Sequence, residues 1–326
     1  MKAIVYAEYG PPDVLQLKEV DKPVPKDDEI LIRVYATTVT AGDCEIRSFT
    51  FPYWFWLPLR IYMGLRRPRK GLLGQELAGA IEAVGKDVSL FKEGDQVVAA
   101  TGIGFGAYAE YICLNAKGVV AIKPANMTYE EAATIPTGGL NALHFLRKGN
   151  IQSRTKVLIN GAAGSIGSYA VQIAKSFGAE VTGVDSTRKL DMLRSIGADQ
   201  VIDYTQEDFT KNGQHYDLIL DVAAYHSIFD YKRALSSKGT YVMVGGSTAR
   251  IFQVLFLGPW ISMTGSKKMG ILAHKPNKDL AFMKQLLEAG NVVPVIDRRY
   301  PLSEVPEALR YLGDGLATGK VVITVG

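Results

Sequence analysis

The chain has 326 residues, 47% hydrophobic and 21% charged, a balance that excludes a disordered, collagen-like or small disulfide-bonded protein. That length predicts roughly two domains, each able to bury its own core. Lys and Arg number 37 against 33 Asp and Glu, so the net charge of +4 is too slight and too scattered for a nucleic-acid partner, while a small anion stays open as a ligand.

From residue 1 to about 124, short β-type runs (KAIVYAEYG, EILIRVYATTVT, ELAGAIEAVG, DQVVAAT and AYAEYICL) alternate with Gly, Pro and Asp, predicting an antiparallel, barrel-like unit. Charges and prolines interrupt the opening MKAIVYAEYGPPDV before a signal-peptide core could form, so secretion is not expected. The two cysteines, Cys44 and Cys113, form no C-x-x-C, which argues against a disulfide framework and predicts a reducing, cytoplasmic setting. Phe49 to Leu65 is the most lipophilic stretch, but Pro52, Pro58 and Arg60 break it and it is shorter than the roughly 20 apolar residues of a spanning helix, so no integral membrane segment is expected.

From about residue 126 the period changes, because NMTYEEAATIPTGGLNALHFLRKGN spaces its apolar residues as a helix does. The runs KVLING, AEVTGVD, DQVIDY, YDLILDVA, GTYVMVGG and KKMGILAH then read as strands, with helices SIGSYAVQIAKSFG and STRKLDMLRSIG between the earlier ones. Strands apolar on both faces that alternate with helices imply a parallel sheet covered on both sides. After about 275 come a helix (KDLAFMKQLLEAGN), a strand (PVIDRRYPL), a helix (VPEALRYLGDG) and a closing strand (GKVVITVG), which cannot simply extend the parallel sheet and are assigned back to the first domain.

The strand KVLIN ends in Gly161-Ala162-Ala163-Gly164-Ser165-Ile166-Gly167, which runs directly into a helix. A pyrophosphate site needs a tight bend, a glycine where the backbone nears the anion and a glycine where helix packs on strand, with helix-start N–H groups facing the ligand. Gly164 and Gly167 fill the second and third positions of G-x-G-x-x-G, and Ala162 departs from the first. A plain strand-to-helix loop would look the same, but AEVTGVD follows in order and Asp185 ends it about 20 residues downstream, where a ribose contact belongs. The turn therefore reads as a dinucleotide site. Asp185 favours NAD, since a carboxylate accepts from both ribose hydroxyls and repels a 2′-phosphate. Ser186, Thr187, Arg188 and Lys189 favour NADPH as a nest of hydroxyls and cations with Arg188 as bidentate partner, unless they are only a helix N-cap with a solvated face. The balance leans to NADPH, with NADH open, on the premise that Asp185 turns outward and that the cations have no other partner.

Taken in order, KAIVYAEYGPPDVLQLKEV, GQELAGAIEAVGKDVSLFKEGDQVVA, AYAEYICL, EEAATIPTGGLNAL, GAAGSIG, SIGADQVIDY and GKVVITV resemble the medium-chain dehydrogenase/reductase superfamily, in its zinc-independent quinone oxidoreductase-like branch. The resemblance implies an α/β fold in which a doubly wound parallel Rossmann sheet over 125–274 is inserted in a split, mainly β, barrel-like catalytic domain of 1–124 and 275–326, and it implies a homodimer. Zinc alcohol dehydrogenases carry ligands where this chain has Thr40 ahead of Asp43, Gln75 in GQE and Ala133 in EEAAT, none of them a usual zinc ligand. Cys44 lacks partners, and His144, His215, His226 and His274 form no close pair. Without a Lewis acid to polarise an alcohol, the expected chemistry is hydride transfer to an already activated acceptor, a quinone or an α,β-unsaturated carbonyl.

The resemblance further implies that Thr137 contacts the nicotinamide side, Tyr204 the phosphate or adenosine side, and Asp221, Val222 and Ala223 the cofactor across the sheet edge. Gly245, Gly246 and Ser247 should line the nicotinamide ribose, and Lys320 should approach from the closing strand. Tyr204 as a strand-end aromatic and Asp221 as an Asx turn remain alternatives. Asp43 should order the T-x-x-D loop, or cap a helix. Relatives carry Asn where this chain has Thr40; Thr40, Tyr53 and Tyr62 are the candidate donors, with none singled out among 16 Tyr. Trp54, Phe55, Trp56, Leu57 and Leu59 would form an apolar patch if exposed. By resemblance this stretch lies over the nicotinamide end, opposite Ile251 to Ile261, and closes a pocket for a small lipophilic acceptor. A satellite core, a dimer contact, or a lipid surface met by Arg66, Arg67, Arg69 and Lys70 are the alternatives. A non-catalytic, dinucleotide-sensing protein on the same fold is the rival to an enzyme.

Overall fold

The structure, a computed structural model, describes residues 1–51, 53–69, 71–271 and 279–326, with the side chains of 53–55 outside the description. Lys70 and His274 of the sequence reading lie outside the described residues. Two compact units emerge, Met1–Thr137 with Ile296–Gly326, and Gly138–Val295.

The first unit opens with an antiparallel pair, β1 (Lys2–Tyr6) and β2 (Leu15–Glu19). β3 (Glu29–Val39) is rich in β-branched residues and buried over most of its length, as a strand covered on both faces must be. Thr40 then starts α1 (Ala41–Ser48) through a capping box with Asp43, so the N–H groups that a helix start leaves open are satisfied locally. α2 (Tyr53–Met63), β4 (Glu76–Val84), β5 (Gln96–Ala100), β6 (Tyr111–Asn115), β7 (Val119–Ile122) and α3 (Tyr129–Ala133) follow. The single helix predicted by the period from 126 onward is interrupted by a π-helical turn, Ile135–Gly139. Pro136 removes a donor there and two glycines follow it, so the α-helical ladder cannot run through.

In the second unit, α4 (Leu140–Lys148) leads to β8 (Lys156–Asn160), α5 (Ser165–Ser176), β9 (Glu180–Asp185), α6 (Leu190–Ser195), β10 (Gln200–Asp203) and β11 (Tyr216–Asp221). α7 (Ile228–Ala234), β12 (Leu235–Met243), α8 (Thr248–Thr264), β13 (Lys268–Ile271) and α9 (Leu280–Glu288) complete it. All six strands pair in parallel, in the order β10-β9-β8-β11-β12-β13. The order reverses between β8 and β11, and in such sheets a ligand sits outside the carboxyl ends of the strands at that reversal. Beneath it lies a core that includes Leu158, Val184, Ile219, Phe209, Tyr231 and Tyr241.

The chain then returns to the first unit as β14 (Ile296–Pro301), α10 (Val305–Gly313) and β15 (Lys320–Thr324). β15 lies antiparallel to β3 and parallel to β14, giving the order β14-β15-β3-β4-β5-β7 with β6 also on β3. Val305, Leu309, Val321 and Ile323 from this last segment join Ile4, Ile30, Ile32 and Leu77 in one core. Each such side chain contributes about 1.5–3 kcal/mol on burial, so the first unit depends on both ends of the chain.

Candidate active-site residues

The bend after β8 is made by Gly161, at φ +75°, where a side chain would be strained. Its N–H and that of Ala162 both bond the Val184 carbonyl, at 3.0 and 3.1 Å. The left-handed residue therefore stands one position before Ala162, which is fully buried, so the departure from G-x-G-x-x-G does not disturb the turn. Gly167 lets α5 lie on this turn, because a Cβ there would strike the Gly161 and Ala162 carbonyls. α5 starts at Gly164 with no side-chain cap, so no cap side chain occupies the first N–H groups of the helix, at Ser165, Ile166 and Gly167, and helix starts of this kind suit an anion.

Asp185 at the end of β9 turns inward, contrary to the outward orientation expected from sequence. It is buried, with Oδ2 accepting the Ala163 N–H at 2.9 Å and Oδ1 accepting the Ser186 N–H at 2.9 Å. Lys189, also buried, brings its Nζ to 3.8 Å from Asp185, so that cation has a partner after all. Thr187 donates its hydroxyl to Asp203, which together with Thr205 holds that carboxyl below the usual carboxylate range. Of the four residues after β9, Ser186 caps a 3-10 turn with its backbone alone and Arg188 is exposed. Tyr204 is about half exposed, its N–H on the Asp185 carbonyl at 3.2 Å and its ring 5.8 Å from that of Tyr225.

At the reversal point, Asp221 ends β11 fully buried. Its carboxylate accepts from Asn160 Nδ2 at 2.8 Å and from the Tyr241 hydroxyl at 2.7 Å, so the side chain ties β8, β11 and β12 together and is not directed at a ligand. Burial pushes this carboxyl up to about 6 against the pull of those donors. Val222 continues the edge with its N–H on the Asn160 carbonyl at 3.0 Å. Gly245 accepts the Ala224 N–H at 3.1 Å, Gly246 bridges Ala224, and Ser247 opens α8 without a side-chain cap.

In the first unit, Asp43 is buried with four donors: the Thr40 N–H (3.0 Å) and hydroxyl (2.7 Å), the Tyr108 hydroxyl (2.9 Å) and the Gly74 N–H (3.0 Å). Burial still raises its pKa, and the Tyr108 phenol is pushed well up by its own burial and then by this carboxylate. Asp43 thus both caps α1 and orders its loop. Thr40 gives its proton to Asp43 and accepts Gln75 Nε2 at 3.0 Å, which leaves its hydroxyl committed within the protein. Beyond Gln75 lies Glu76, entirely buried and ion-paired with buried Lys320. Glu76 also accepts the Thr38 hydroxyl and the Thr137 N–H, the latter at 2.6 Å, and Lys320 donates to Thr137 Oγ1 at 2.9 Å and Thr38 Oγ1 at 3.3 Å. Glu76 and Tyr108 were missed by sequence reasoning. Adjacent residues of an extended chain point to opposite sides, so a Glu next to a Gln at a strand start was the available signal for the first.

The sequence pattern of the alcohol dehydrogenase GroES-like domain matches residues 26–124, and that of zinc-binding dehydrogenases matches residues 196–323. The chain is 34% identical over 335 residues to 2-methylene-furan-3-one reductase of Solanum lycopersicum, covering 99% of this chain and 79% of the relative. It is 30% identical to NADPH-dependent alkenal/one oxidoreductase of Arabidopsis thaliana, covering 99% and 79%, and 30% identical to quinone oxidoreductase of Homo sapiens, covering 99% and 97%. Among solved structures, the quinone oxidoreductase from Coxiella burnetii aligns with a TM-score of 0.87 at 28% identity, over 100% of this chain and 99% of that one.

The chain belongs to the medium-chain dehydrogenase/reductase superfamily, in its quinone oxidoreductase-like branch. This medium-chain reductase is accordingly an oxidoreductase that uses a nicotinamide cofactor, and the uncapped start of α5 over the Gly161 bend fits a dinucleotide. Zinc, which the matched pattern names, does not fit the donors present. The positions concerned hold a hydroxyl already bonded to Asp43, an amide bonded to that hydroxyl, and the buried methyl of Ala133. Among the described residues no group of three or more His, Cys, Asp or Glu is placed to hold a metal. No described helix is long and apolar enough to cross a membrane.

Tyr62 of the reductase is exposed on α2, and the side chain of Tyr53 lies outside the described residues. α2 also leaves Leu57 and Ile61 exposed, with Leu65 beyond its end, while Trp56 packs edge-on against Phe49 at 5.9 Å. In the second unit the run Ile251 to Ile261 lies within α8, which buries Val254, Gly258 and Ile261 and leaves Phe256, Trp260 and Met263 exposed.

Proposed function

We propose that this reductase transfers hydride from NADPH to a quinone or an α,β-unsaturated carbonyl without a metal ion. The observation that carries the coenzyme choice is the engagement of Asp185. With its oxygens on the Ala163 and Ser186 N–H groups and Lys189 beside it, the carboxylate that would repel a 2′-phosphate is held under the turn and partly neutralised. Ser186 and Arg188 follow at the ribose edge and take the phosphate. Gly164, Ser165, Ile166 and Gly167 bind the pyrophosphate, Tyr204 flanks the adenosine, and Val222, Gly245, Gly246 and Ser247 line the ribose. Thr137 meets the nicotinamide, and Lys320, whose donors go to Glu76, Thr38 and Thr137, holds Thr137 from behind. When bound, the cofactor supplies the hydride, and the chain orients the acceptor and stabilises the charge that develops on its oxygen.

The relatives named for alkenal and furanone reduction support the acceptor class. The free cysteines Cys44 and Cys113 accord with a reducing, cytoplasmic setting, and the proposed assembly is a homodimer, which sedimentation tests. Titration of NADPH and NADH by nicotinamide fluorescence, followed by turnover with quinones, enones and saturated alcohols, tests the reading. NADPH should bind tighter by roughly tenfold or more. An NADH preference, or alcohol oxidation abolished by chelators, would overturn it.

A further inference from the structure

We infer that Lys320 and Glu76 form a clamp on Thr137, the point where the main chain leaves the first unit, and that they are its positioning residues. The chain leaves that unit at Thr137 and returns at Ile296. Lys320 reaches both points: its side chain donates to Thr137 Oγ1 at 2.9 Å, and its backbone is the register partner of Ile296 where β14 joins β15. Glu76 holds the other side of Thr137 by accepting its N–H at 2.6 Å. Lys320 has three donors and three partners, Glu76, Thr38 and Thr137, and its side chain is 1% exposed against 0% for Glu76. Apolar pairs of similar volume are often as stable as buried ion pairs, so the ion pair is weak evidence of a purely stabilising role. What the charged pair adds is direction. Thr137 lies between Pro136 and the Gly138-Gly139 pair within a π-helical turn, and the described bonds to Glu76 and Lys320 fix both its N–H and its hydroxyl.

The clamp rests on the reading that Thr137 meets the nicotinamide, and the test separates the two. The variants are Glu76→Gln, Lys320→Met and the double substitution, each followed by thermal unfolding, hydrogen exchange over residues 135–139, NADPH fluorescence titration and kinetics. Each single variant leaves one buried charge unpaired and should lower Tm. The double variant should recover most of that Tm, yet keep fast exchange at 135–139 and a kcat about tenfold below the unmodified protein, with the NADPH Kd within about threefold. Recovery of exchange protection and kcat along with Tm would reduce the pair to core packing and overturn the clamp. If the single variants do not fold, Lys320→Arg, which keeps the charge but changes its reach, should show the kcat loss at near-native Tm, and unchanged kcat there also overturns it. Failure of the unmodified protein to bind NADPH sinks the cofactor reading instead, while faster exchange in the variants would still identify the clamp.

Discussion

Asp185 and Asp221 each end a strand of the parallel sheet, and both turn their carboxylates into the protein, with different consequences. Asp185 is held by Ala163 and Ser186, so the proposed coenzyme choice rests on Arg188. Arg188→Ala should weaken NADPH about tenfold and leave NADH nearly unchanged in fluorescence titrations; equal losses for both would return the choice to Asp185. Asp221 titrates at about 6 in the fold, above the value near 4 of an unfolded chain, so the folded state binds its proton more tightly. Its contribution to stability is complete below about pH 4 and is lost as pH rises through about 6. Relative to the unmodified protein, Asp221→Asn should therefore gain Tm from about pH 4 to 6.5 and level off above about pH 7, and parallel curves would refute the assignment. The sequence showed an acidic residue at each strand end but not its direction. That direction depends on an amide 22 residues earlier for Asp185 and on Asn160 and Tyr241 for Asp221, partners that no local pattern couples.

At the level of elements, α2 is fastened by Arg60, whose guanidinium stacks over Tyr9 at 3.9 Å, Phe49 at 4.3 Å and Trp56 at 5.1 Å. Arg60→Ala should cost about 2 kcal/mol in denaturant unfolding, and Arg60→Met, which restores volume without charge, should recover only part of it. The outer side of the same helix exposes Leu57 and Ile61. If that side meets the acceptor, the Leu57→Ser/Ile61→Ser variant should raise KM several-fold for acceptors with long apolar substituents and not for small quinones. A change in sedimentation instead would assign the face to a second copy. The period of the sequence found the alternation of strands and helices in the second unit because each element there is apolar where the sheet covers it. It did not resolve α3 from α4, since apolar spacing continues through Pro136 while the ladder does not. Nor did it suggest a helix over 53–63, where Pro58 sits inside the element.

The molecule as a whole is built from one continuous unit and one split unit. A fragment of residues 138–295 should unfold cooperatively by circular dichroism, whereas residues 1–137 alone should not, because β3 loses β15 and the core loses Val305, Leu309, Val321 and Ile323. Elemental analysis of protein purified without chelator should find no stoichiometric zinc, because Thr40 and Gln75 are bonded within the protein and Ala133 offers no ligand atom; bound zinc would revive alcohol oxidation. The split also sets an order in time. On the ribosome the second unit emerges entire and can fold at once, but β3 must wait, with part of one edge unpaired, until residues 296–326 have followed it. A nascent chain stalled near residue 295 would therefore carry a finished nucleotide fold joined to an open, aggregation-prone sheet, and substitutions that slow release of β15 should lower soluble yield even where they leave the mature protein's stability unchanged.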